Sequence, residues 1–219
     1  MSRDQVILHS SFDPTTLKFS PLAKTSKGGK IVYISLPGDA RVKVQTPTLS
    51  APFGISTFDE ASTGTQSFSL DASFRGYEND TKIKGFMDKC RQIDSVLLDV
   101  ASERSKEWFG GKAMSADVVR ELMRKQVRDA NDPTKYAPTM RLKILPTTEF
   151  YDADQEAVDM SYITKGTTFK AIIELSAVWF INRQFGCTWR IAQMQILSRP
   201  DKLTGFAFQA EDGDADGDV

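Results

Sequence analysis

Apolar and polar residues alternate with a period of two along much of the first third of this chain, which is the mark of strands with one buried face. Residues 30–36 are rich in β-branched side chains, Pro37-Gly38-Asp39 is a turn, and Arg41-Val42-Lys43-Val44-Gln45 sets basic against apolar positions. The two runs read as a hairpin with a positive outer face. Residues 67–75 alternate again, with Phe68, Leu70, Ala72 and Phe74 on one side and Ser67, Ser69, Asp71, Ser73 and Arg75 on the other. The period then lengthens. Phe86, Met87, Cys90, Ile93, Leu97 and Val100 follow helical spacing until Trp108-Phe109-Gly110-Gly111. Ser115 predicts the cap of a second helix, with Val118, Val119, Leu122 and Val127 on one face and Arg120, Arg124, Lys125 and Arg128 on the other, ending at Asn131-Asp132-Pro133. The period of two returns at Met140, Leu142 and Ile144, which alternate with Arg141 and Lys143. Residues 169–181 predict a long strand with Trp179 in the core, residues 182–186 a turn, residues 188–197 a returning strand and residues 204–208 a last short one.

Strands, two helices and strands again define a mainly β, α+β domain. The expected architecture is an OB-fold-like barrel over residues 1–208, with a two-helix insertion at about 82–130 and a disordered acidic tail from 209 to 219. A two-sheet sandwich fits the same pattern.

Charge sharpens the picture. Residues 211–219 hold five of the 29 acidic residues and none of the 28 basic ones, which leaves the rest of the chain at about +4. A mildly basic body binds polyanions, and an acidic tail competes for the same surface or merely solubilises the protein. The N-terminus has no signal-peptide core and no apolar run is long enough to span a bilayer, so an intracellular protein with no membrane contact is expected. Cys90 and Cys187 read as small buried side chains.

Chemistry is sparse. The single histidine, His9, reads as a surface or strand residue, and His9, Cys90 and Cys187 are too scattered for a zinc site. Gly110-Gly111-Lys112-Ala113 lacks the earlier glycine and the Ser or Thr of a phosphate loop. Residues 212–217 copy the start of a calcium loop without its closing glutamate, and Asp152, Asp154, Glu156 and Asp159 read as a solvated loop. No catalysis, cofactor or metal is expected. Single strands are gripped instead by cations that track phosphates and by rings that stack bases. Arg41, Lys43, Arg141, Lys143, Lys170 and Arg190 are the candidate cations, and Tyr33, Phe53, Tyr136 and Trp189 (with Tyr77 nearby) the candidate rings. The plainer reading of the same residues is core aromatics and solvated bases.

Longer stretches carry a resemblance. Gln45-Thr46-Pro47, Pro52-Phe53-Gly54-Ile55, Ser69-Leu70-Asp71-Ala72-Ser73-Phe74, Ile93-Asp94, Trp108-Phe109, Lys135-Tyr136-Ala137-Pro138-Thr139, Val178-Trp179-Phe180 and Phe185-Gly186-Cys187-Thr188-Trp189 occur in an order that resembles a family of large nucleo-cytoplasmic DNA viruses of algae and protists. That family is similar to the single-stranded-DNA-binding proteins of T7-like phages. The resemblance spans roughly residues 30 to 200. It implies an OB-fold core, single-stranded DNA as partner, a homodimer, and a role in viral DNA replication and recombination in the host nucleus or a cytoplasmic replication site. It also implies that the tail, with Glu211, Asp212, Asp214, Asp216 and Asp218, shields the DNA groove and docks polymerase or helicase-primase. The chain departs from the phage pattern by ending in Val219 rather than an aromatic residue. A virion-associated or minor capsid protein with a β-sandwich, and an accessory enzyme, are the alternatives.

Overall fold

The computed structural model describes residues 5–26, 28–60, 64–200 and 208. The strands are β1 (Ile7–Leu8), β2 (Lys18–Phe19), β3 (Ala23–Lys24), β4 (Lys30–Ser35), β5 (Val42–Gln45), β6 (Leu49–Ala51), β7 (Ile55–Glu60) and β8 (Thr65–Ser73). Helices α1 (Thr81–Glu103), α2 (Ser105–Phe109) and α3 (Ala116–Leu122) follow, then β9 (Met123–Arg124), β10 (Val127–Arg128), β11 (Thr139–Tyr151), β12 (Thr167–Ile181) and β13 (Gln184–Ser198).

Five strands close on themselves in the order β6-β8-β11-β13-β12 and back to β6. The β11–β13 pair is parallel and the others are antiparallel. This five-stranded Greek-key circuit is an OB-type barrel; the two-sheet sandwich does not form. Leu70, Met140, Leu142, Phe169, Ile173 and Trp189 are among its fully buried side chains. Phe12 meets Trp189 edge-on, 6.3 Å between ring centroids, so the N-terminal segment packs on the barrel core.

The expected hairpin of residues 30–45 is only half there. Leu36 and Ala40 bridge across the predicted turn, where Gly38 and Asp39 have positive φ. The flanking strands then part, and β4, β5 and β6 line up one after another along a single edge of β12. A 15-residue strand offers three short partners a longer ladder than they offer each other.

The insertion begins as expected. The Asp80 carboxylate accepts from the backbone N–H groups of Lys82 (2.8 Å) and Ile83 (3.2 Å) and caps α1, whose buried stripe includes Phe86, Cys90, Ile93 and Leu97. Ser115 caps α3 through the Val118 N–H. That helix stops at Leu122, however, and the expected helical residues 123–128 form an extended strap. Its cause is long-range. The buried Asp94 carboxylate accepts the Gln126 backbone N–H (2.9 and 3.0 Å), and the Gln126 side chain donates to the Cys187 carbonyl (2.8 Å). Both cysteines are buried and free, and burial pushes both thiols up. His9 is buried rather than on the surface, edge-on to Phe86. The expected strand at residues 204–208 and the acidic tail lie outside the described residues, apart from the exposed Phe208.

Candidate nucleic-acid interface

OB barrels bind oligonucleotides on the outer face of their second and third strands, between the loops that join strands one to two and four to five. Here that face is β8 and β11, bounded by the β7–β8 and β12–β13 hairpins. Strict alternation in β11 buries Met140, Leu142 and Ile144 and turns Arg141 and Lys143 outward.

Strand register sorts the predicted cations. Lys43, Glu174, Arg190, Lys143 and Ser69 are successive partners across β5, β12, β13, β11 and β8, forming one row around the outside of the barrel. Arg41 is exposed just ahead of β5. Lys170 pairs with Gln195 and lies on the β12 flank, away from Arg141. Arg141 grips Asp71 with two hydrogen bonds (Nε 3.0 Å, Nη2 2.8 Å), and Arg128 reaches the same carboxylate at 3.2 Å. Two guanidinium groups share one acid, so the cluster keeps a net positive charge. Burial lowers the pKa of Arg128, while the hydrogen bond to Asp71 raises that of Arg141.

The aromatic candidates divide. Tyr33 is exposed on β4 opposite Ala177. Phe53 is exposed in the β6–β7 turn, near the start of β12, and Tyr136 in the β10–β11 loop. Trp189 is fully buried in the barrel and cannot stack a base; its outward neighbours are Thr188 and Arg190. Trp179, expected in the core, is instead half-buried. A bulge between Leu175 and Val178 shifts the buried positions from odd to even residues, so Val178 turns in and Trp179 out. The indole Nε1 donates to Thr188 Oγ1 at 3.0 Å. Opposite it stands Gly186, where an added Cβ would lie 3.0 Å from the Trp179 ring and 3.0 Å from the Arg124 carbonyl. Glycine therefore lets β9 and the indole meet over β13. The predicted turn at 182–186 shrinks to Asn182-Arg183, both at positive φ, the two-residue form that suits a hairpin.

The strap completes the site. It runs from β13, where Met123 and Arg124 pair, to β11, where Val127 and Arg128 pair. Beneath it is a cleft of about 730 Å³ lined by Arg124, Lys125, Arg128, Arg141, Trp179 and Thr188. At the other end of the face, Lys143, Phe68 and the exposed Phe58 line a second cleft of about 860 Å³. Sequence reasoning missed the outward-turned Trp179 and the exposed Phe58, and placed the strap's three cations on a helix. Among the described residues no three metal-ligating side chains converge, and no helix is long and apolar enough to cross a membrane.

Fold and site together define an OB-type barrel with a cationic, ring-bearing outer face. The sequence model of a family of unknown function (DUF5871) matches residues 74–208, and the chain belongs to that family. No curated protein matches the chain. Among solved structures, the single-stranded DNA-binding protein from bacteriophage Enc34 in complex with ssDNA is similar at 11% identity, over 86% of this chain and 99% of that one, with a TM-score of 0.41. The same phage protein without DNA gives 10% identity, 90% and 99% coverage and a TM-score of 0.43. Gp2.5, the single-stranded DNA-binding protein encoded by bacteriophage T7, gives 11% identity, 78% and 98% coverage and a TM-score of 0.48.

Proposed function

We propose that this protein binds single-stranded DNA with little sequence preference, as a non-enzymatic accessory to DNA metabolism. The observation that carries the reading is the cleft under the strap, where Arg124, Lys125, Arg128 and Arg141 surround the half-exposed Trp179 on the binding face of an OB-type barrel. Cations follow the phosphates and the ring stacks a base, a pairing that tolerates any sequence. Tyr33 and Phe58 extend the stacking surface, Lys143 and Arg190 the phosphate track. A purified sample titrated with single- and double-stranded oligonucleotides should prefer the single strand. With five phosphate contacts, from Arg124, Lys125, Arg128, Arg141 and Lys143, and Asp71 offsetting one, the slope of log K against log salt should be about −3. Equal affinity for duplex, or an affinity indifferent to salt, would remove the reading.

The resemblance to viral proteins supports a role in viral DNA replication and recombination, inside the infected cell at the nucleus or a cytoplasmic replication site. On the same reading the protein acts as a homodimer. Its C-terminal residues Glu211, Asp212, Asp214, Asp216 and Asp218 compete with DNA for the cationic face and dock polymerase or helicase-primase. Deleting residues 211–219 should tighten DNA binding roughly threefold or more at low salt and have little effect at high salt, because screening weakens the competing charges. Identical titrations for the two forms at low salt would leave the tail as a solubilising segment.

A further inference from the structure

We propose that the β12–β13 flank carries a second DNA subsite, a cleft that takes one unstacked base and reads its hydrogen-bonding edge with glutamine amides. This rests on the single-strand reading above and adds to it a local base preference. The register builds the cleft from two rungs. Tyr151, Gln195 and Lys170 lie side by side on β11, β13 and β12. Next to them, Glu149, Gln193, Ile172 and Gln45 run across β11, β13, β12 and β5. The open cleft has a volume of about 380 Å³, at the small end of ligand-sized clefts.

Its chemistry is that of a base pocket rather than a phosphate trough. Ile172 is an outward apolar residue flanked by polar ones, and the half-buried Tyr151 ring stands at one side. Tyr151 and Gln193 are already tied to Glu149: the phenol O–H donates at 3.3 Å and the amide at 2.6 Å. By contrast, among the described residues the side chains of Gln45, Gln195 and Lys170 have no hydrogen-bond or ion-pair partner, although Gln45, Gln195 and Lys170 are each half-buried. Two amides with open donor and acceptor groups, facing one apolar platform, match the two donor–acceptor edges of adenine, N6–H2 with N7 and N6–H2 with N1, whereas cytosine offers only N4–H2 with N3. Lys170 supplies the cation for the adjoining phosphate. It lies four residues along β12 from Glu174, the partner of Arg190, so the two cations are roughly 13 Å apart along the strand direction. The subsite thus lies to one side of the row that holds Lys143 and Arg190, within reach of a strand that follows it.

The test compares two single-stranded oligonucleotides of equal length, one alternating adenine and cytosine, the other all cytosine, titrated against the full chain and against Q45A, Q195A and K170A. The wild type should favour the adenine-containing strand by about fivefold or more. Q45A and Q195A should bring that ratio toward one without weakening the all-cytosine strand, and K170A should weaken both strands alike. Intact single-strand binding with a ratio near one in the wild type, or a ratio that survives both glutamine changes, overturns the subsite and leaves the parent reading standing. A wild type that binds neither strand in dilute buffer overturns both.

Discussion

Replacing Trp179 by alanine is expected to lower the affinity for single-stranded DNA by about 1–3 kcal/mol, roughly 5- to 150-fold, while the protein stays folded. The same change at Trp189 is expected to cost about 3–5 kcal/mol of stability, enough to unfold much of a marginal domain. The two residues sit on neighbouring strands and differ only in which way the backbone turns them. Trp189 is fully enclosed among the barrel's apolar side chains, with Phe12 against its edge and, among the described residues, no acceptor for its Nε1. Trp179 lies outside, over Gly186, with Nε1 held by Thr188. Truncating an inner indole leaves a large cavity, whereas truncating the outer one removes a stacking platform and one hydrogen bond. Thermal denaturation and oligonucleotide titration of both variants separate the roles. A W179A protein that binds as tightly as wild type would take the indole out of the interface. A W189A protein that melts normally would contradict its place in the core.

That exchange of roles shows where the sequence was legible. From Met140 to Ile144 in β11 the inward residues are apolar and the outward ones charged, so the phase of Arg141 and Lys143 could be read directly, and the chain's β-helix-β order set the fold class. At the end of β12, Ala177-Val178-Trp179-Phe180-Ile181 is apolar throughout and carries no phase; the bulge that settles it is a property of the pairing with β13. Gly186 looked like the end of a turn that begins at Asn182, yet it lies in β13, where the space it leaves is used by Trp179 and Arg124. Arg120, Arg124, Lys125 and Arg128 fit a helix face well. What ends the helix is the capture of Gln126 by Asp94, 32 residues earlier, and by Cys187, 61 residues later. Contacts at such separations leave no local periodicity. For the same reason Lys43 and Lys143 could be assigned to outer faces and Arg190 to a late strand, but only the strand order puts them in one row and sets Lys170 apart from Arg141.

Burial of the carboxyl that holds Gln126 also makes the fold sensitive to pH. Burial pushes the Asp94 carboxyl up to about 6, against the opposing pull of the Gln126 and Val127 N–H groups, Lys125 and Arg91. Because its folded pKa lies above the unfolded value of 3.8, the folded state holds the Asp94 proton more tightly. Asp94 therefore favours folding most at low pH, and that contribution is lost as pH rises from about 4 to about 6, amounting to about 3 kcal/mol over the window. His9 acts in the opposite sense. Burial and Lys89 lower its pKa below 6.5, so its contribution to stability is lost as pH falls. Asp13, Asp132 and Asp159, all lowered by their hydrogen bonds, lose theirs only below the ordinary aspartate range. Comparing wild type with D94N cancels these shared terms. The melting temperature of wild type should fall relative to D94N between about pH 4 and 6 and then run parallel to it. D94N keeps an acceptor for the Gln126 N–H and so should keep the strap and its affinity for DNA. D94A leaves that buried N–H unpaired, at about 1–3 kcal/mol, and should lose both stability and the contribution of Arg124, Lys125 and Arg128 to the salt slope. A D94A protein with an unchanged slope would mean that the strap holds its shape without Asp94.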